Sequence, residues 1–348
     1  MIIEKITQSR ISDVDFNELP FGSFFSDHML VADFENGQWQ EPKIIPFQRL
    51  PFSPSLSAIN YGQAIFEGMK AYYGSDGNIL LFRPMDNFKR MNTSAERMCM
   101  PEIPEEIFMN GLKELLKVDR AWVPKTDGAS LYIRPVLFAT DEAIGVKPSE
   151  TYKFCIVTCP VQSFFKDPLK VYVETHYTRA SEGGFGYAKA AGNYGGAMYP
   201  TKLAQKNGFH QVIWTDATEH KYLEESGAMN LMVVIGDTLI TPKLTESKLA
   251  GITRDSVLKV AKHWNVKTEE RNISINEIID AFNNQTLKEL FGCGTAANIA
   301  PIKMFGYAGK EYPMPVSNDE FFSVKVARYL SNIKQGKTED IFGWIVNV

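Results

Sequence analysis

Residues 179–199 read RASEGGFGYAKAAGNYGGAMY and hold one lysine, Lys189, among glycine, alanine and aromatic residues, with no acid nearer than Glu182. Such small residues let backbone approach a flat ligand. Apolar surroundings also desolvate the amine, favouring the unprotonated form that imine formation with an aldehyde requires. Standing alone, the stretch fits a solvated loop lysine as well. Its neighbours in the sequence decide between the two readings.

Glu225, in LEESGAMN, lies just before a strand-like run, where a carboxylate could face a pyridine nitrogen and keep it protonated; by itself it also reads as a surface acid. Gly251-Ile252-Thr253 leads into a helix with Val257, Val260, Ala261 and Trp264 on one face, so first-turn N–H groups and the Thr253 hydroxyl are placed for a phosphate. Thr253 could otherwise be a plain N-cap. Arg83, between a strand and a helix opened by Pro84, and Arg179 are candidate phosphate cations. An imine lysine, a ring-nitrogen partner, a phosphate seat and two arginines make up the inventory for pyridoxal 5′-phosphate.

The remaining sequence predicts a two-domain frame of α+β or mixed α/β class, because 348 residues exceed one ordinary core and strands alternate with helices. Residues 1–159 form a small N-terminal α/β domain, 160–169 an interdomain linker, and 170–348 a larger C-terminal domain carrying Lys189. Asn36-Gly37 joins Phe25–Phe34 to Trp39–Phe47 and Asp76-Gly77 joins Met69–Tyr73 to Ile79–Phe82 as hairpins. Leu131–Ala139 and Tyr152–Val161 read as strands, with Cys155 and Cys159 as apolar positions. Farther on, strands are expected at Val171–Thr175, Gln211–Thr215, Met229–Ile235 and Leu287–Phe291. Helices are expected at Met198–Lys206, Asp255–Trp264 and Asn276–Phe282, the last with a Ser274/Glu277 capping box.

Several function classes drop out. With 37 basic and 41 acidic residues, the net charge of −4 offers no field to attract nucleic acid. The N-terminal MIIEKITQSRISDVDF carries acids and no apolar core, unlike a signal peptide, and no apolar run reaches membrane-spanning length. Four cysteines in apolar context do not suggest a disulfide framework, so a cytoplasmic location is expected. Five histidines lack metal-like pairing, and no metal is expected. Gly184 to Lys189 puts lysine where a dinucleotide fingerprint needs glycine. Gly292 to Ala297 matches G-x-G-x-x-A loosely, but Pro301 would break the helix that should follow.

Nine blocks carry a resemblance: FGSFFSDHML, YGQAIFEGMKAY, LFRPMDNFKRM, LYIRPVL, GVKPS, residues 179–194, EESGAMN, GITRDSV and GCGTAANIAP. In this order and spacing, from about Phe21 to Ile302, the chain resembles the branched-chain-amino-acid aminotransferases of the fold-type IV pyridoxal-phosphate enzymes. The resemblance implies that Lys189 forms the imine with the cofactor, Tyr194 bonds its phenolic oxygen and Glu225 pairs with its ring nitrogen. Arg83, Arg179, Ile252, Thr253 and Thr295 would bind the phosphate or its surroundings. Phe21, Tyr61, Phe66, Tyr132, Arg134, Phe164 and the Ala296-Ala297 turn would line the substrate pocket.

Further implications are a ping-pong exchange between leucine, isoleucine or valine and 2-oxoglutarate, in which the aromatic walls take the branched chain and Arg134 with Tyr132 takes the second carboxylate of glutamate. A homodimer is implied as well, with Ile144 and Val146 on a loop entering the neighbouring subunit's site. Three positions depart from the family. Ala228 replaces a threonine and Phe164 a tyrosine found in some members, and Ala297 and Ala300 stand where mammalian members carry a Cys-x-x-Cys pair, so no thiol switch is expected. The alternatives are a D-amino-acid aminotransferase or aminodeoxychorismate lyase of the same fold, which should differ at YGQAIFEGMKAY and LYIRPVL, and a non-catalytic binder, which has no need of Lys189.

Overall fold

The computed structural model describes residues 1–16, 18–162 and 167–348, so Phe164 lies outside the described residues. Strands β1 (Ile2–Ile3), β2 (His28–Glu35), β3 (Gln38–Trp39), β4 (Lys43–Pro46), β5 (Ala64–Phe66), β6 (Met69–Tyr73), β7 (Ile79–Phe82), β8 (Ser130–Ala139) and β9 (Tyr152–Val161) are interspersed with helices α1 (Ser57–Tyr61), α2 (Pro84–Arg97) and α3 (Gly111–Val118). Then come β10 (Leu169–Val173), α4 (Gly192–Lys206), β11 (Gln211–Thr215), β12 (Leu223–Ser226), β13 (Met229–Ile235) and β14 (Thr238–Thr241). The chain continues through α5 (Ile252–His263), β15 (Lys267–Glu270), α6 (Ile275–Asn283), β16 (Leu287–Gly294), β17 (Asn298–Tyr307), β18 (Lys310–Pro313), α7 (Phe322–Lys334) and β19 (Ile345–Asn347).

One ten-stranded sheet runs β1-β4-β2-β9-β8-β6-β7-β19, with β3 on β2 and β5 on β8. A nine-stranded sheet runs β12-β11-β10-β17-β16-β13-β14-β15, with β18 on β17. The first is antiparallel apart from β1–β4, whereas the second mixes parallel pairs such as β10–β11 and β10–β17 with antiparallel ones. This is the mixed α+β class expected from the sequence. Asn36 and Gly37 both take positive φ at the β2–β3 turn, and Ser274 Oγ accepts the Glu277 amide at 3.1 Å. After Gly292–Ala297 the chain continues as β17, with Pro301 opposite Phe291, so the dinucleotide reading fails for want of a helix.

The chain divides into two compact units whose bounds differ from the expected ones. One unit comprises Met1–Phe164, Ala188–Gly192 and Ser331–Val348; the other comprises Phe165–Tyr187 and Asn193–Leu330. Lys189 therefore belongs with the N-terminal residues, not with a continuous C-terminal domain. Backbone pairing is the reason: Ile65 bridges Ala190, Phe66 N–H donates to Lys189 O at 3.1 Å, and Ala191 N–H donates to Ala64 O at 2.9 Å. The C-terminal residues join the same unit because β19 pairs antiparallel with β7.

In the first unit, α2 and α3 bury Met91, Ala95, Leu112, Leu115 and Leu116 against Leu30, Ile79, Leu81, Leu131, Ile133, Phe154 and Ile156 of the sheet. Each fully buried side chain of this kind contributes about 1.5–3 kcal/mol. The second unit packs Ile275, Ile278 and Ala281 of α6 against Leu231, Val233, Leu290 and Phe305. Burial pushes the Cys155 and Cys293 thiols up to about 12 and Cys159 up to about 11, leaving them in the inert thiol form at neutral pH. Among the described residues no helix is long and apolar enough to cross a membrane.

Two lysines are buried in the first unit. Burial pushes Lys70 down to about 8 and, with repulsion from Lys70, pushes Lys334 down to about 7. Lys334 closes α7 with its Nζ 4.9 Å from the centre of the Phe82 ring. An unfolded lysine keeps its proton to about 10.5, so between about pH 7 and 10.5 the unfolded chain binds more protons and stability rises with pH. Lys334→Met should raise the melting temperature by a few degrees near pH 6.5 and flatten this rise. Thermal unfolding of both proteins from about pH 6 to 10 checks this; parallel pH profiles would contradict it.

Candidate active site

In the first unit the chemistry gathers around the Phe66 ring. Pairing of Ala188–Gly192 with β5 sets Lys189 Nζ 5.0 Å from the ring centre, and Lys189 N–H donates to Ser94 Oγ of α2 at 2.9 Å. The Arg134 guanidinium stacks over the same ring at 4.5 Å and donates through Nη2 to the Tyr132 hydroxyl at 2.7 Å. Arg134 and Tyr132 share a face of β8 because residues two apart on a strand point the same way. The buried Arg134 Nε meets no hydrogen-bond acceptor among the described residues. Gly68 is required beside this pair, since a Cβ there would strike the Tyr132 hydroxyl.

The Phe21 ring meets Tyr132 edge-on at 4.9 Å, so three of the expected pocket residues and Lys189 form one contact chain with it. Tyr61 is exposed at the end of α1. Arg83 stands at the β7–α2 junction in a left-handed conformation, φ 52°, that side chains adopt only when surroundings enforce it. Its N–H donates to Trp344 O at 2.8 Å, its guanidinium lies over the Trp344 ring, and its Nε donates to Asp86 at 2.7 Å.

In the second unit, β12 is buried on both faces and carries adjacent carboxylates. Glu224 takes Lys248 at 2.7 Å and Ser247 Oγ at 2.5 Å, whereas Glu225, on the opposite face, lies 2.9 Å from Arg179 Nη1 and accepts from Asn230 Nδ2 at 3.1 Å and Leu249 N–H at 3.2 Å. Arg179 also donates to Ser247 O at 2.9 Å. Its guanidinium supplies the counter-cation that so deeply buried a carboxylate needs.

Gly251 N-caps α5, with Ile252 and Thr253 as its first two residues, so Thr253 is not the cap. First-turn amides have no carbonyl one turn back within their helix and gather positive potential there. A Cβ on Gly251 would collide with the Asn230 amide oxygen, so glycine is needed at this entry. Thr295, Ala296 and Ala297 form the turn between β16 and β17, and Tyr194 is half-buried in the first turn of α4. Ile144 and Val146 stand 83% and 92% exposed on one loop, an arrangement that a lone chain gains nothing from.

The amino-transferase class IV family matches residues 64–305. Branched-chain-amino-acid aminotransferase 2 of Bacillus subtilis (strain 168) is 41% identical over 99% of this chain and 96% of its own. The chain belongs to the branched-chain-amino-acid aminotransferases. It is accordingly a transaminase, of a class that depends on pyridoxal phosphate. Among solved structures, the branched-chain aminotransferase of Thermoproteus uzoniensis with norvaline superposes with a TM-score of 0.76 at 23% identity, covering 92% of this chain and 99% of that one. The branched-chain amino acid aminotransferase of Thermobaculum terrenum in its PLP-form gives 0.75 at 22%, covering 92% and 98%. These two likenesses establish the fold.

Sequence reasoning singled out Lys189, Glu225, Arg134 and Tyr132 but passed over Glu67, Arg90 and Asn230. Glu67 lay inside the quoted block YGQAIFEGMKAY, and the available signal was a carboxylate in the otherwise apolar run AIFEGM. Breaking the Arg179–Glu225 pair from one side leaves a buried charge uncompensated. Arg179→Met should therefore cost about 3–5 kcal/mol, and adding Glu225→Gln should recover much of the loss. Urea unfolding of the parent, both single variants and the double variant measures this coupling, and strictly additive effects would disprove it.

Proposed function

We propose that this aminotransferase exchanges amino groups between the branched-chain L-amino acids leucine, isoleucine and valine and 2-oxoglutarate, giving branched 2-oxo acids and L-glutamate, with pyridoxal 5′-phosphate as cofactor. The supporting observation is the shared Phe66 ring, which holds the Lys189 amine and the Arg134–Tyr132 pair within one cluster. Taken unit by unit, the residues present fit the cofactor: the first offers an amine for its aldehyde and a buried arginine for its phosphate, and the second a buried carboxylate for its ring nitrogen and a helix N-terminus for its phosphate.

When bound, pyridoxal phosphate supplies an aldehyde to receive the amino group and a ring that accepts the electron pair left at the substrate α-carbon. Lys189 would hold it covalently and then, as a free amine, take the proton from the α-carbon. Glu225, fixed by Arg179 and Asn230, would keep the ring nitrogen protonated. Tyr194 would bond the phenolic oxygen, and Arg83 and Arg179 with Ile252, Thr253 and Thr295 would hold the phosphate or its surroundings. Amides of the Ala296-Ala297 turn would take the substrate α-carboxylate, and Phe21, Tyr61 and Phe66 would receive the branched chain. The Arg134 Nε would donate to the second carboxylate of glutamate. Exposed Ile144 and Val146 support a homodimer in which a second copy covers them. The setting proposed is cytoplasmic amino-acid metabolism.

Lys189→Ala removes both the anchor and the base, so turnover should fall at least about 100- to 10,000-fold in a protein that still folds. The assay follows glutamate formation from 2-oxoglutarate across leucine, isoleucine, valine, aspartate and D-alanine; a preference for either of the last two overturns the substrate assignment. Arg134→Met separates the half-reactions. With 2-oxoglutarate, single-turnover rates should fall about 10- to 150-fold, the worth of one hydrogen bond to a charged group, while leucine is nearly unaffected. Equal damage to both would move Arg134 to the α-carboxylate.

A further inference from the structure

Glu67 is fully buried, and a carboxylate in that position persists as an ion only if paired and hydrogen-bonded. Its oxygens accept from Arg90 Nε at 2.7 Å and Nη2 at 2.9 Å, from Asn87 Nδ2 at 2.7 Å and from the Gly68 amide at 3.1 Å. Burial works to raise the carboxyl, but the charge and hydrogen bonds of Arg90, the charge of Lys189 and the Asn87 amide outweigh it, holding Glu67 below its ordinary value.

Arg90 and Asn87 both lie on α2, so Glu67 clamps that helix to the segment 66–68. Four residues beyond Arg90, Ser94 Oγ donates to Arg90 O at 3.0 Å and accepts the Lys189 N–H. On the other side of Glu67, Phe66 donates its N–H to Lys189 O and sets its ring beside Nζ. The amide, the carbonyl and the amine of Lys189 are thus each held by a residue that the Glu67–Arg90 pair ties down. Main-chain pairing fixes Glu67 in turn, its N–H donating to Pro135 O at 2.8 Å.

We infer that Glu67 is a positioning residue: through Arg90 and α2 it fixes the Lys189 backbone and aims the amine along the Phe66 ring. The inference rests on the proposed role of Lys189 as the cofactor-bearing lysine. It predicts two effects that a merely stabilising ion pair would not produce. One is local loosening at Lys189, and the other is a change in how firmly the Lys189 nitrogen, whose charge acts on Glu67, holds its proton once it carries the cofactor.

Glu67→Gln keeps the shape and removes the charge. In the apoprotein, the Lys189 amide should exchange with deuterium about 10- to 150-fold faster than in the parent, and amides of β16 should be unchanged. In the protein loaded with pyridoxal phosphate, the pH midpoint of the visible absorbance should move down, because a negative charge favouring the protonated nitrogen is gone. With leucine, kcat should drop at least about tenfold while KM changes less than about threefold, and Glu67→Asp should restore part of each effect. If Glu67→Gln does not fold, Ser94→Ala replaces it, with faster Lys189 exchange and lower kcat expected. Unchanged Lys189 exchange with an unmoved absorbance midpoint overturns the inference, even if the melting temperature falls. Borohydride trapping on the parent tests the underlying reading separately: label on Lys189 supports it, and label elsewhere or none overturns it, while apoprotein exchange still decides the role of Glu67.

Discussion

The Lys189 carbonyl accepts the Phe66 amide at 3.1 Å and the Ala191 amide donates to Ala64 at 2.9 Å. These two bonds take a segment that arrives late in the sequence and fasten it to a strand made early. Neither bond is individually strong, each contributing about 0.5–1.5 kcal/mol net, but both are directional, and together they leave the Lys189 side chain little choice of exit. The Phe66 ring, the Arg134 stack and the Tyr132 hydroxyl then follow from strand periodicity, since β5 and β8 are in register at Phe66 and Val136. A slip of one residue in that register would turn the Phe66 ring to the face opposite Arg134 and Tyr132.

Two buried carboxylates handle charge in the same way in the two units. Glu67 has Arg90 and Glu225 has Arg179, each supplemented by an asparagine amide, Asn87 and Asn230. Arginine suits this duty because its guanidinium stays charged and presents several donors in a fixed fork. Such pairs add little net stability compared with apolar packing, so their value lies in fixing a charge at a chosen point.

How much of this was legible varied with the kind of signal. Hairpins marked by Asn36-Gly37 and Asp76-Gly77, the Pro84 helix start and the Ser274 cap depend on local backbone chemistry and were readable residue by residue. Lys189 stands out in the sequence as a lone lysine in small and aromatic company, whereas Glu225, beside Glu224, shows no such contrast. The domain boundaries were not legible, because whether Ala188–Gly192 belongs with β5 depends on pairing between residues more than a hundred positions apart. Helix α7 shows its stripe at Val326, Leu330 and Ile333, but the turn-rich residues before it hid its start. The pairing of Arg179 with the buried Glu225 was not legible, because the two residues lie far apart in the sequence. The Cys155 and Cys159 assignments held because a strand separates positions four apart.

The pairing of β19 with β7 also bears on the order of events during synthesis. Arg83 owes its left-handed turn to the Trp344 carbonyl and ring, and Trp344 follows the whole second unit in the sequence. A ribosome must therefore deliver the second unit before the first sheet can acquire its last strand. Until then β7 is an open edge able to recruit other chains, and the nascent protein has reason to engage a chaperone there.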